Sequence, residues 1–473
     1  MNIMNKMKRA YSLDAFRGYA ILTMILSGTI ASGVLPAWMY HAQVGPRSNF
    51  SFDPSIYGIT WVDLVFPFFL FAMGAAFPFS IGSKYEKGTP AIHLIWSSIK
   101  RGIKLAFFAI FIQHVYPWNL GFESTYISWL VAIASFFLMF FMFMDIPVKK
   151  IKWGNYLIKL SAFVIGGVLL LNLPYANQKT FSLSYSNIII LVLANMAVFA
   201  SIWYILTMKN RLLRIGILPF IMAVFLGSST SGSWVSWIME YSPVPWFYSF
   251  YYLKYFFIVI PGTIAGEYLK EWLTKRDNTQ SVIPSRKLSY MVASVCVLLI
   301  VCNLYGLYTR QLVLNLFLTL ALLFVLWFLM KKEQGVDITY WNKLFQAGCY
   351  LLLLGLFFEA YQGGIRKDDS TYSYSFVTSG FAFIVLIAFS IFCDVYRCNK
   401  LARPLEMAGQ NPMIAYVAPQ LVVNPIIGLL GANSLLELFN QNAFLGFLRG
   451  VLITSLAIIV AVICTRLKYF WRT

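Results

Sequence analysis

Long apolar runs alternate with short polar ones along the whole chain, on a period far longer than that of a strand or an amphipathic helix. Runs of about 20 apolar residues, enough to cross a hydrocarbon core as helix, recur from end to end. The predicted spans cover residues 18–36, 60–81, 102–118, 126–145, 157–173, 186–207 and 212–227. They continue through 251–268, 289–308, 311–330, 344–361, 376–396, 407–430 and 447–465. Nothing alternates like a barrel strand, and lipid leaves no partner for unpaired backbone groups, so each run is read as helix. The expected fold class is all-α, a polytopic transmembrane helix bundle of about 11–14 spans, with about 14 as the best count. The 407–430 run is the least regular, because Pro412, Pro419 and Pro425 interrupt it. No polar block is long enough for a soluble domain, so residues 1–473 read as one integral-membrane unit.

Composition agrees with that pattern. The chain is 59% hydrophobic and 12% charged, against about 25% charged in soluble domains. Its formal charge of +19 comes from 37 Lys+Arg and 18 Asp+Glu, and in a soluble protein that excess would point to nucleic acid. Here the basic residues fall in alternate loops. Lys6, Lys8, Arg9 and Arg17 begin the series, followed by Lys84, Lys87, Lys100, Arg101 and Lys104. The runs at 149–152, 209–214, 270–287, 331–332, 397–403 and 466–472 continue it. The intervening loops hold only Arg47, Lys179, Arg310, Arg366 and Lys367. That asymmetry is the positive-inside signature and predicts both termini on the cytoplasmic side. It accounts for the net charge without nucleic acid. The six cysteines lie within or at the inner ends of apolar runs, with no C-x-x-C spacing, so neither a disulfide framework nor a metal site is expected.

Ionisable groups inside spans are costly, about 2.5–3.5 kcal/mol at a helix centre on insertion scales, so each needs a partner or a task. Asp14 and Arg17 in "SLDAFRG" are three apart and share a helix face. They form either a local ion pair or a guanidinium oriented to hold phosphate oxygens. Asp63, at the start of the second span, caps its helix, pairs with Lys254, or orients an imidazole. Gly74, Ala75 and Ala76 give that span a thin face for close packing. His41 lies just beyond the first span beside Trp38 and Tyr40, where an interfacial belt residue is the plain reading. His93 falls on the basic side, and His114 near an outer helix end competes with His41. Lys254 and Glu359, also near outer helix ends, either snorkel or line an outward-facing polar cavity.

Taken together, "SLDAFRG" (12–18), His41 and "ITWVDLVFPFFLFAMG" (59–74) resemble the heparan-α-glucosaminide N-acetyltransferase family and its bacterial relatives. A second patch, "STYSYSFVTSGFAF" (370–383) followed by "GQNPMIAYV" (409–417), is similar too. The resemblance implies a multi-span acetyltransferase of a bacterial cytoplasmic (inner) membrane. Acetyl-CoA would be the acyl donor and no metal would be needed. The acetyl group would pass from the cytoplasmic side to an amino sugar or glycan on the other. His41 matches the family's catalytic histidine, acting as acetyl-carrying nucleophile or as general base, with Asp63 orienting it. Asp14, Arg17, Lys100 and Arg101 are the expected cofactor-binding residues, and Lys254, Glu359 and Asn411 the expected substrate-binding ones. The loop between His41 and Asp63 holds an insertion, "VGPRSNFSFDPSIYG". Expected partners are the lipid bilayer, acetyl-CoA and the acceptor, with a homodimer as a further expectation. A transporter or flippase for a sugar or lipid-linked substrate, with Lys254, Glu359 and Asp63 along its path, is the competing reading.

Overall fold

Apolar side chains drive the spans into helices, and where two helices must touch, small residues decide how closely. The computed structural model describes residues 9–145, 153–230, 232–278 and 283–472. Lys6, Lys8, the basic run at 149–152 and part of the run at 270–287 lie outside them. The main helices are α1 (Tyr11–Thr29), α2 (Trp61–Ala75), α3 (Ala91–Val115), α4 (Thr125–Phe143) and α5 (Gly154–Asn172). They continue as α6 (Ile188–Leu206), α7 (Arg211–Gly227), α8 (Phe256–Asn278), α9 (Arg286–Thr309) and α10 (Leu312–Lys331). The series ends with α11 (Val336–Phe358), α12 (Tyr372–Phe389), α13 (Asn399–Gln410), α14 (Pro412–Ala418) and α15 (Ala443–Arg466). Among the described residues the only β-type pairing is an isolated bridge between Leu120 and Tyr175.

The architecture is an all-α polytopic bundle, and the protein is an integral, multi-pass membrane protein. Among the described residues, 10 helices are long and apolar enough to cross a membrane, fewer than the apolar runs suggest. The difference lies in α1, α3, α7 and α8. Asp14 and Arg17 sit inside α1; Lys100, Arg101 and Lys104 inside α3; Glu267, Lys270 and Glu271 inside α8; and α7 has 17 residues with Arg211 and Arg214 in it. The charged turns of these helices are continuous with their apolar parts, whereas the expected spans left out Asp14, Arg17, Lys100, Arg101, Arg211, Lys270 and Glu271.

Close helix crossings occur where the sequence supplies glycine. A methyl group at Gly18 of α1 would overlap the carbonyl of Leu405 in α13, and one at Gly409 would overlap the carbonyl of Asp14. The α2–α8 crossing has the same character, with Gly74 of the expected thin face lying on the backbone of Val259. The irregular run resolves into two parts. Residues 407–410 end α13, which packs on α1, and the membrane-length helix starts at Pro412, not at 407. Pro at the first helical position costs no hydrogen bond. The proline at 419 is absorbed by a π-turn over Pro419–Val423, and the helix continues to Leu429.

α1 and α15 run antiparallel. Ala31 N–H donates to the Gly446 carbonyl (3.2 Å) at one end, while Thr465 Oγ1 donates to Met407 O (3.0 Å) at the other, beside the Arg17–Gly409 contact. The start of α1 and the end of α15 therefore share one end of the bundle. Contacts between Lys270 and Glu86, Arg214 and Glu267, and Arg276 and the Asp394 carbonyl join further basic residues to it. This is the basic end; the loop carrying His41 forms part of the opposite one.

Candidate functional site: a histidine between two carboxylates

The site begins with the helix start "ITWVD". Thr60 and Asp63 form a reciprocal capping box on α2. Asp63 Oδ2 accepts from Thr60 N–H (2.9 Å), from the Thr60 hydroxyl (3.3 Å) and from Ala42 N–H (3.3 Å). The cap thus holds the helix start and pulls in the chain just after His41. The other oxygen, Oδ1, lies 3.3 Å from His41 Nε2, and the Asp63 side chain is fully buried. The Tyr374 hydroxyl donates to the Asp63 carbonyl (2.7 Å), tying α12 to the same turn. Of the three readings open for Asp63, the cap and the imidazole contact occur together on its two oxygens. Among the described residues it makes no ion pair with Lys254.

A third group completes the cluster. Asp368 Oδ2 lies 3.2 Å from the same His41 Nε2, and its side chain is 40% exposed. Gln43, fully buried, clamps Asp368 through both halves of its amide: it accepts from Asp368 N–H (2.9 Å) and donates to the Asp368 carbonyl. Burial pushes the Asp368 carboxyl up, but its interaction with the His41 ring and the charge of Lys367 outweigh it, so its pKa lies below the ordinary 3.8. The loop after His41 carries the contacts that bring these groups together. Gly58 N–H donates to Ile365 O (2.7 Å), Arg366 donates to Pro54 O (2.9 Å), and Arg47 donates to Tyr308 O (2.8 Å). The loop thus docks the 363–371 segment beside the turn that places His41 near Asp63.

Neither Asp368 nor Gln43 stood out in the sequence. The one signal was the polar stretch "RKDDS" directly before the "STYSYSF" patch, and loop carboxylates are ordinarily just solvated.

The remaining candidates divide by end. Lys254 is buried at the His41 end, with its ammonium facing the rings of Phe225, Tyr251 and Tyr372 at 5.0–5.8 Å. Tyr251 in turn accepts from Ser370 N–H, two residues past Asp368. Glu359 is also buried there, but it holds Arg310 and accepts from Ile365 N–H (3.2 Å). It anchors the 363–371 segment, and both contacts are internal to the protein. Asn411 lies at the basic end, away from His41. Its amide donates to Thr465 Oγ1 (3.0 Å) and Tyr469 O (2.8 Å) and accepts from Trp471 N–H (3.3 Å). These bonds make Asn411 a latch for the C-terminal tail, whose Trp471 packs among Phe108, Phe136, Phe140 and Phe143.

At the basic end, Asp14 accepts from Arg9 (2.6 Å), and Arg17 stands 3.9 Å away from it. Arg17 donates to Gly409 O (3.3 Å). Arg101 lies near enough to feel the Arg17 charge, and its buried Nε has no hydrogen-bond partner among the described residues. Lys100 is exposed beside Trp96. A cavity of about 880 Å³ also opens at this end, lined by Tyr85, Tyr204, Lys209, Arg211, Lys270 and Lys275 among others. His93 is exposed. His114 is buried with its Nδ1 on Ile110 O (2.8 Å) and its Nε2 accepting from Ser182 N–H (3.4 Å), so both ring nitrogens are occupied.

Fold and site together define a polytopic membrane protein with a histidine–carboxylate cluster at one end and clustered guanidinium groups at the other. The chain belongs to the family described as "Domain of unknown function (DUF5009)", whose model matches residues 9–269. That match contains His41 and Asp63 and stops before Asp368. No curated protein matches the chain.

Proposed function

We propose that the protein is a membrane-embedded acetyltransferase that moves an acetyl group from acetyl-CoA, taken up at the basic end, to an amino sugar or glycan at the His41 end. The observation that carries this reading is the 3.3 Å contact between His41 Nε2 and Asp63. An imidazole beside a buried carboxylate is suited to handling a proton, and acyl transfer to an amine requires a proton to be moved. Support at the other end comes from Arg17, which shares Asp14 with Arg9, and from Arg101, whose Nε has no hydrogen-bond partner among the described residues; such guanidinium groups suit the phosphates of a coenzyme. Their end carries most of the basic residues, which fits a cytoplasmic orientation. A bacterial inner membrane is the setting this reading requires, and a homodimer is compatible with it.

The transporter reading has less behind it, because Glu359 is committed to Arg310 and Ile365 and does not continue a path from Asp63. The test is transfer of radiolabelled acetyl from acetyl-CoA to glucosamine-type acceptors by the reconstituted protein. Transfer that disappears in His41→Ala is the expected result. Substrate movement across proteoliposomes without any coenzyme would establish the transporter instead.

A further inference from the structure

Within the acetyltransferase reading, on which this inference rests, the hydrogen bonds of His41 restrict what the ring can do. The main-chain N–H of Gln43 points at His41 Nδ1 at 3.0 Å. An N–H donor needs a lone pair, so Nδ1 is unprotonated and already occupied. The contact is local and belongs to the turn in which Val44 N–H also returns to the His41 carbonyl (3.2 Å). Turning the ring over would set a C–H against the Gln43 donor. The neutral ring therefore carries its proton on Nε2, and that nitrogen faces Asp63 Oδ1 at 3.3 Å and Asp368 Oδ2 at 3.2 Å. Neither nitrogen offers a free lone pair to a thioester carbonyl. An acetyl group on Nε2 would have to displace both carboxylates.

The two carboxylates are not equivalent. Asp63 is sealed in by the cap of α2. The Asp368 side chain is part-exposed, its main chain is fixed by Gln43, and His41 is its one side-chain partner among the described residues. We infer that acetyl transfer here is direct, with Asp368 as the catalytic group that takes the acceptor's proton and His41 as the N–H that aims it. An amino-sugar acceptor, as proposed above, arrives as an ammonium, which a neighbouring carboxylate attracts. The ammonium loses one proton to water to become the nucleophile. Its nitrogen then attacks the thioester carbonyl: the C–N bond forms, the C–S bond breaks, and the second proton passes from nitrogen to Asp368. Asp368 returns that proton to the departing CoA thiolate, leaving an amide and CoA thiol.

The experiment uses the full chain in proteoliposomes, with acetyl-CoA and glucosamine. Asp368→Asn is expected to lower kcat by about 10²–10⁴-fold, the usual range for a proton-transfer group, with the KM for acetyl-CoA unchanged. Asp368→Glu is expected to recover part of the loss. Without acceptor, the wild type is expected to leave His41 unacetylated by peptide mass spectrometry and to exchange no labelled CoA into acetyl-CoA. This exchange assay needs no variant, so misfolding cannot obscure it. Exchange at the turnover rate, or Asp368→Asn within a few-fold of wild type, overturns direct transfer through Asp368 and leaves the acetyltransferase reading intact. A wild type that transfers no acetyl group to any acceptor overturns both.

Discussion

The two ends of the bundle treat charge in opposite ways. At the His41 end, charged groups from distant parts of the chain are locked in fixed geometry: Asp63 by a helix cap, Asp368 by the Gln43 amide, Glu359 by Arg310. At the basic end charges are more numerous and of two kinds: Arg211, Arg214 and Lys270 pair with Glu267, Glu271 and Glu86, whereas Lys100 is exposed, Arg101 Nε is unpaired among the described residues and Arg17 stands 3.9 Å from Asp14. Chemistry on a proton needs heavy atoms fixed to a few tenths of an ångström, whereas recognition of a phosphate by point charges tolerates much more. The group of Arg17, Arg101 and Lys100 is thus looser than the cluster around His41, which matches the division of labour proposed, bond-making at one end and coenzyme capture at the other.

Substitutions at the two ends should separate these roles. Asp63→Ala removes the cap and the His41 contact at once. Acetyl transfer should fall by about 10²–10⁴-fold, and losing the cap should cost about 0.5–2 kcal/mol of stability, read as a lower melting temperature in detergent. Preserved activity in that variant would break the comparison outright. Next in size is Gly409→Ala at the α1–α13 crossing of the basic end, where a methyl group meets the Asp14 backbone. Overpacking there should destabilise the fold by about 1–3 kcal/mol while leaving the KM for acceptor unchanged.

Arg17→Ala and Arg101→Ala should each raise the KM for acetyl-CoA by about tenfold, equivalent to about 1.4 kcal/mol of binding, with kcat near wild type. An effect confined to kcat would place them in the chemistry instead. The smallest effect belongs to Lys100→Ala. An exposed ammonium over one indole is worth about 0.5–1 kcal/mol, so steady-state parameters should move by only a few-fold.

Much of the fold was legible without coordinates because lipid allows so few solutions. Once the apolar runs are seen, backbone hydrogen bonding dictates helices, and the Gly74 stretch already marked a tight crossing. What could not be read was where each helix truly begins. In α1, α3 and α8 the charged turns are continuous with apolar ones, so hydropathy alone cut them short. The 407–430 run hid a break at Asn411, since a proline there fits equally inside a kinked span or at the start of a new one.

For the site, the sequence by itself determined the types of group and one pairing. His41 and the "TWVD" helix start lie close along the chain, and a capping box is local physics. Only the tertiary structure decided that Asp368 joins them, because it lies 325 residues beyond its clamp Gln43. No local preference links two such loops; the match depends on the 44–58 loop docking against the 363–371 segment. The same holds for Asn411 and Glu359. A polar residue in an apolar chain announces that it needs a partner, but whether that partner is a substrate or another part of the protein is set by which surfaces the packed helices bring together.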